Sequence, residues 1–316
     1  MTITTTNALP APVQQWFDNV LLSRPMPKLI HKQMALKKEI PPNSGRTVRY
    51  RRYTNLATAT VPLPDSGLTP PGQVLNAVDI DARLDWYGTY VTITDQVMFV
   101  NQDPVLNQTV SLLAQSMRET EDELTRNMLA STAAVFNCVN GGNGDNPTEL
   151  TRLDIDAVVQ ELLGNDAMMI SDNIEGSLKF GTAPIREAFW GMMNTSFLDD
   201  LEQCQGFISQ AQYPASQNIL NAEWGSVGNV RFLYSSRGSL SPNASLNGNT
   251  VGNIFITGAE AYACVDLTQA TASFIYTPPG GPTDPLRRLQ LGAYKFAQVP
   301  RILNDAWIFN LRATHS

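Results

Sequence analysis

Residues 103–138 read DPVLNQTVSLLAQSMRETEDELTRNMLASTAAVFNC. Apolar side chains recur at Leu106, Val110, Leu113, Met117, Leu124, Met128 and Val135, in steps of three, four or seven, the stride of a single helix face. Asp103 suits the N-cap and Pro104 the first helical position. Arg118, Glu119, Glu121, Asp122, Glu123 and Arg126 fall mainly off the stripe, so the opposite face is expected to meet water. The spacing predicts one helix over 103–138, roughly 50 Å long at about 1.5 Å per residue. The following run NGGNGDNP (140–147) ends it. Gly141-Gly-Asn-Gly144 follows a helix rather than a strand, which favours a C-cap turn over a phosphate cradle. Globular helices average about 11–12 residues, so this one needs a long surface to lie on, such as a sheet.

Upstream, residues 1–44 carry Pro10, Pro12, Pro25, Pro27, Pro41 and Pro42, which exclude a long helix. A short helix fits Ala11–Leu22, and the whole reads as an extended arm that needs a surface. Residues 45–100 read as strands. Arg46-Thr-Val-Arg-Tyr-Arg-Arg-Tyr53 is rich in β formers. VPLPDSGLTPPG (61–72) is a loop, and Asn76–Leu84 and Trp86–Phe99 follow as extended segments. The result is a large hairpin with little core of its own, and a hairpin alone in water is marginal.

Downstream, Thr151-Arg-Leu-Asp154 opens a capped helix running to about Leu163. Met168–Ile170 fits a short buried strand, Thr182–Met193 a helix, and Asn229–Ser235 and Asn253–Thr257 strands, with a Ser/Asn/Gly loop over Ser239–Gly252. Residues 148–270 thus look like a mixed α/β unit. AYKFAQVP (293–300) and AWIFNLRA (306–313) look like two strands joined by a tight turn at Asn304-Asp305.

The net charge of -7 is unevenly spread. Residues 1–53 hold nine Lys and Arg against Asp18 and Glu39, a formal +7, which leaves -14 on the rest. A basic arm on an acidic body is complementary to a second copy of itself, and a solvated basic tail with no partner is the other reading. Charged residues make up 16% of the chain, against about 25% in typical soluble domains, which suits a surface covered by other subunits and fits a neutral monomer as well. No apolar run approaches the roughly 20 residues a membrane span needs. The N-terminal MTITTTNALPAPVQQWF lacks a basic region followed by an apolar one, so no secretory signal is expected. Cys138, Cys204 and Cys264 are odd in number and far apart, which suits synthesis in a reducing cytoplasm and no disulfide framework.

The residues leave little room for familiar catalysis. The two histidines, His31 and His315, have no neighbour at metal-ligand spacing, and neither a GxSxG elbow nor a Gly-Lys dipeptide occurs. No cofactor is expected. Asp79, Asp81 and Asp85 alternate along one extended segment; a divalent-ion site is one reading, and an Arg-paired or solvated strand face is favoured. Arg46, Arg49, Arg51 and Arg52 sit beside Tyr50 and Tyr53, a mixture able to hold a nucleic-acid backbone and stack bases. The pI of about 4.9 argues instead for pairing between subunits. Arg46, Arg49, Arg51, Arg52, Asp79, Asp81 and Asp85 are therefore the expected inter-subunit contact residues.

Five stretches carry a resemblance in their order and spacing: SGRTVRYRRYTNLATATVPLPDSGLTP (44–70), DWYGTYVTITDQV (85–97), DPVLNQTVSLLAQSMRETEDELTRNML (103–129), NAEWGSVGNVRFLYSS (221–236) and LGAYKFAQVPRILNDAWIFNLRA (291–313). Together they resemble the major capsid proteins of tailed phages, in particular the N4-like branch, which have the Hong Kong 97-like fold, of class α+β. The resemblance implies an N-terminal arm (1–44), an extended loop with adjoining peripheral strands (45–100), the spine helix of the peripheral domain (101–147), an axial domain (148–270) and a return to the peripheral domain (271–316). It implies pentamers and hexamers closing an icosahedral head around double-stranded DNA, with the DNA held non-specifically on the inner face. A separate scaffolding protein, a portal and a cement or decoration protein are implied partners, with no membrane. An encapsulin-like nanocompartment shell is the alternative within the fold; a metal-dependent enzyme or a standalone DNA-binding protein are alternatives outside it.

Overall fold

The computed structural model describes residues 26–41, 44–60, 62, 72–100, 105–132, 134–170, 187–213, 220–242, 244, 245, 247–267, 273–280 and 286–315. The helix expected over Ala11–Leu22, the Asp103–Pro104 cap and most of the 61–72 loop lie outside these residues. In chain order the elements are β1 (Leu36–Ile40), β2 (Thr47–Tyr53), β3 (Ala77–Arg83), β4 (Asp85–Thr94), α1 (Asp95–Val100), α2 (Val105–Ala130), β5 (Val135–Val139), β6 (Gly142–Asn143) and α3 (Arg152–Gly164). There follow β7 (Phe189–Asn194), α4 (Leu198–Gln203), β8 (Phe207–Ser209), β9 (Glu223–Val227), β10 (Val230–Ser235), β11 (Leu240–Ser241), β12 (Val251–Thr257), β13 (Tyr262–Leu267), β14 (Ser273–Thr277), β15 (Leu289–Ile302) and β16 (Ile308–Thr314).

Two sheets form the body. The first is built on β15, the longest strand. Its first ten residues, Leu289 to Gln298, pair with β4 on one side; on the other side β14 and β13 follow one another along it, with β1 parallel to β13 beyond. The second has nine strands, with β12 and β7 at its centre. Both central strands are buried at every residue, as expected where a sheet is covered on both faces. On one face Ile155, Val158, Val159 and Leu162 of α3 pack with Phe232, Ile254, Ile256 and Leu311. On the other, Trp190, Met192, Phe255 and Ile308 meet Leu129 of α2, Ile30 and Met34, and Tyr262 and Cys264 of the first sheet. Gly252 permits this density, because a Cβ there would stand 2.0 Å from the Phe197 ring.

α2 spans both sheets. Leu113 packs with Tyr294 and Phe296, flanked by Tyr87, Met117 and Leu124, and Leu129 enters the core against the nine-stranded sheet. The helix expected over 103–138 is thus observed over Val105–Ala130, on the sheet surface its length requires. Its buried face is Thr109, Leu113, Asp122, Thr125 and Leu129, more polar than the apolar stripe. Beyond Ala130, Val135–Val139 is not helical; it pairs parallel to β16. The NGG run is accordingly a hairpin turn rather than a helix cap: Asn140 and Gly141 have φ of 51° and 91° and join β5 to β6. Asn-Gly supplies the two left-handed residues such a turn needs.

Other expectations divide. The capped helix at 151–163 is α3, where the Asp154 carboxylate accepts from the Thr151 N–H at 3.0 Å and from Gly141 N–H at 2.6 Å. Strands at 229–235 and 253–257 are β10 and β12. The strand expected to Phe99 stops at Thr94, where Asp95 accepts from the Gln96 N–H and α1 begins. The helix expected over Thr182–Met193 is contradicted for its described part, where Phe189–Asn194 is the buried strand β7. Met168–Ile170 contributes a single bridge from Ile170 to Ala188. The last two strands do not form a hairpin: β15 belongs to the first sheet and β16 to the second.

Candidate functional site

β2 and β3 form a separate two-stranded ribbon, in the register Thr47↔Arg83, Arg49↔Asp81, Arg51↔Asp79 and Tyr53↔Ala77. Side chains alternate across a strand, so these pairs share one face. The other face carries Val48 opposite Ala82, Tyr50 opposite Ile80 and Arg52 opposite Val78. At the base that apolar face is buried, since Ala82 packs with Ile40, Leu84, Val265 and Ala297. Towards the far end it is open to water: Val78 is 41% exposed, and all of residues 51–60 are exposed.

The charged face is a ladder of forked ion pairs. Arg49 donates from Nε and Nη2 to Asp81 at 2.7 and 3.0 Å, and Arg51 likewise to Asp79 at 2.7 and 2.9 Å. Arg49 also lies 3.9 Å from Asp79. Arg46 reaches Asp85 at 3.6 Å and the Leu84 carbonyl at 3.4 Å. The Arg51 and Arg49 hydrogen bonds hold the Asp79 and Asp81 carboxyls below the usual carboxylate range, and the same bonds raise both guanidinium groups. These aspartates therefore stay ionised at neutral pH. Of the seven residues singled out in the sequence, six are brought together in cis, and Arg52 stands across the ribbon on the apolar face. The Arg-paired reading of Asp79 and Asp81 is what the ribbon shows.

Two charge clusters, one buried and one partly buried, carry no signal in the sequence, because their members lie far apart or look like ordinary surface charges. His31 donates its backbone N–H to Asp122 at 2.8 Å while its Nδ1 lies 2.7 Å from the other carboxylate oxygen. Tyr262 donates to the His31 carbonyl at 2.6 Å, and Lys32 bridges Glu121 and Asp266 at 2.9 and 3.1 Å. Part of the basic arm therefore lies on its own chain's acidic helix. Arg231 donates to both oxygens of Glu223 at 2.7 Å and stacks on Trp190, 4.4 Å from the ring centre. Tyr213 also donates to Glu223, and burial pushes its hydroxyl up to about 12. Among the described residues no three His, Cys, Asp or Glu side chains are grouped to hold a metal ion, and no helix is long and apolar enough to cross a membrane.

Two sheets bridged by one long helix, with a ribbon reaching out from the body, define the Hong Kong 97-like fold of shell-building subunits. The chain belongs to the phage capsid protein family, whose model matches residues 77–289. That family is structural and its place is the virion shell. Among solved structures the chain resembles the capsid of Ralstonia phage GP4 with a TM-score of 0.71 at 12% identity, covering 99% of each chain. It resembles the capsid of Cyanophage P-SCSP1u with a TM-score of 0.68 at 13% identity, covering 100% of this chain and 96% of that one. An encapsulin complex from Synechococcus elongatus aligns at 0.57 and 10% identity, covering 100% and 98%. No curated protein matches the chain.

Proposed function

We propose that this chain is the major capsid protein of a tailed phage of the N4-like branch, made in the host cytoplasm and assembled as pentamers and hexamers around double-stranded DNA. One observation carries the assembly reading: the β2–β3 ribbon extends beyond its own core, with an apolar face that opens to water towards its end. A two-stranded ribbon is marginal alone, and the surface that completes it is a neighbouring copy. The five sequence stretches named above support the branch. Residues 1–44, 45–100, 101–147, 148–270 and 271–316 serve as arm, extended loop, spine, axial domain and peripheral return. The low charge content suits head-to-tail contacts that close into rings. A scaffolding protein, portal and decoration protein complete the set of partners, and the role is non-enzymatic. The encapsulin likeness supports a second, lesser reading, which the contents of purified shells decide: nucleic acid for a head, a protein cargo for a nanocompartment.

Arg46, Arg49, Arg51, Arg52, Asp79, Asp81 and Asp85 are proposed to meet the neighbour, with the Arg49–Asp81 and Arg51–Asp79 pairs neutralising each other along one face of the ribbon. Replacing Arg49→Glu and Arg51→Glu together sets four carboxylates on one face. The expected result is a folded subunit with at least a tenfold lower yield of sedimenting shells. Swapping the pairs, with Asp79→Arg and Asp81→Arg added, restores cis attraction and the yield. Unchanged yield in the first variant would falsify the contact.

A further inference from the structure

Asn-Gly occurs three times in the chain, at Asn140-Gly141, Asn143-Gly144 and Asn247-Gly248. The pair is open to one spontaneous reaction, because glycine has no side chain to keep its backbone nitrogen from the amide carbon before it. The fold treats the three pairs differently. The Gly141 N–H donates at 2.6 Å to the carboxylate of Asp154, a residue with no exposed surface. A bond to an ionised acceptor is roughly twice as strong as a neutral one, so this nitrogen is tied to another element. Asn143 is pinned through its side chain: its Oδ1 accepts from the Asn137 N–H at 2.9 Å and its Nδ2 donates to the Val135 carbonyl at 3.4 Å. The Gly144 carbonyl in turn accepts from Asn137 Nδ2 at 2.7 Å. Asn247 and Gly248 are instead both exposed. Among the described residues no hydrogen bond holds the Asn247 side-chain amide. Gly248 has a φ of 77° with open space around it, and its N–H meets the neutral Ser245 carbonyl at 3.0 Å.

We propose that Asn247-Gly248 is a site of spontaneous modification, at which water converts the asparagine to aspartate and isoaspartate while the other two pairs persist. The Gly248 backbone nitrogen attacks the Asn247 side-chain carbonyl carbon and forms a cyclic imide. The side-chain nitrogen leaves as ammonia, carrying the proton that Gly248 gives up. Water then adds to either imide carbonyl and opens the ring. One opening leaves aspartate in a normal backbone; the other leaves isoaspartate, whose main chain runs through the former side chain and is longer by a carbon. Nothing is oxidised or reduced, and water is the sole co-reactant.

Both products alter the loop. They place a new carboxylate in a cavity also lined by Thr148, Glu149, Ser245, Asn249 and Thr314, where Glu149 already supplies a negative charge. The lengthened backbone falls inside a turn closed by the Ser245 N–H on the Asn249 carbonyl at 3.3 Å and the Asn249 N–H on Ser245 Oγ at 2.9 Å. The turn therefore loosens as the protein ages. This concerns the loop alone and stands whether or not the chain builds a shell.

The test incubates the purified chain in warm, mildly alkaline buffer, folded and in urea, and follows each asparagine by peptide mass spectrometry. Enzymatic methylation of isoaspartate marks the product. In the folded chain Asn247 is expected to convert at least roughly tenfold faster than Asn140 or Asn143, because its exposed turn is the freest of the three to move. In urea, where the bonds that distinguish them are gone, the three rates should come together. Asn247→Gln, which keeps the amide but closes the ring poorly, should suppress the acidic species that the wild-type chain accumulates on anion exchange. Equal conversion at the three sites of the folded chain overturns the proposal. So does an Asn247 that stays intact in the folded chain over the time in which the unfolded chain converts it. Acidic species that build up as fast in Asn247→Gln as in the wild type overturn it as well.

Discussion

Arg231 is 2% exposed and Glu223 carries no exposed side-chain surface. Burying two such charges is costly, and the pair holds only because the fork, the Trp190 face and the Tyr213 hydroxyl satisfy it together. Removing one partner leaves the other's charge in the core, which costs about 3–5 kcal/mol. Glu223→Ala should therefore lower the urea midpoint of the isolated subunit by that equivalent; an unchanged midpoint means that the pair is not part of the stable core. None of this was legible beforehand, because Glu223 and Arg231 look like the polar positions of two surface strands. The Arg–Asp ladder was half legible. The alternation of charges along 46–52 and 79–85 was plain, but the pairing of Arg49 with Asp81 depends on a register fixed by the ribbon's apolar face, where Ala82 enters the core.

At the scale of elements, α2 shows how periodicity both guides and misleads. Leu113 is 4% exposed against Tyr294 and Phe296, as its place on the stripe demanded. An aspartate there buries an unpaired carboxylate, at a cost of several kcal/mol. Leu113→Asp should abolish soluble expression of folded subunit; a soluble variant with wild-type circular dichroism contradicts the packing of α2 on β15. The stop at Ala130 was missed because Val135 falls on the stripe by coincidence of a seven-residue step. Val135-Phe136 is also β-branched and aromatic, the composition of a strand, and its parallel bond to β16 lies 175 residues away in sequence, at Asn310. β7 was misread for a related reason. FWGMMN is buried at every position, and a strand covered on both faces has no alternation to betray it.

For the whole molecule, the class of the fold was legible through the resemblance of five stretches to phage capsid proteins, and one helix too long to stand alone and a ribbon with little core agreed with it. Sheet membership was not legible. β15 and β16 are neighbours in sequence and enter different sheets, while β1 from the arm completes the first sheet through β13, more than 200 residues on. The arm's basic residues are partly spent within the chain, Lys32 on Glu121 and Asp266, so less of the +7 read from the sequence is left for a second copy than the count suggests.

Negative-stain electron microscopy of the purified chain, alone and with a candidate scaffolding protein, tests this account most directly. Closed shells, or rings of five and six subunits, are the predicted result. Discrete monomers under both conditions and across salt concentrations would contradict it.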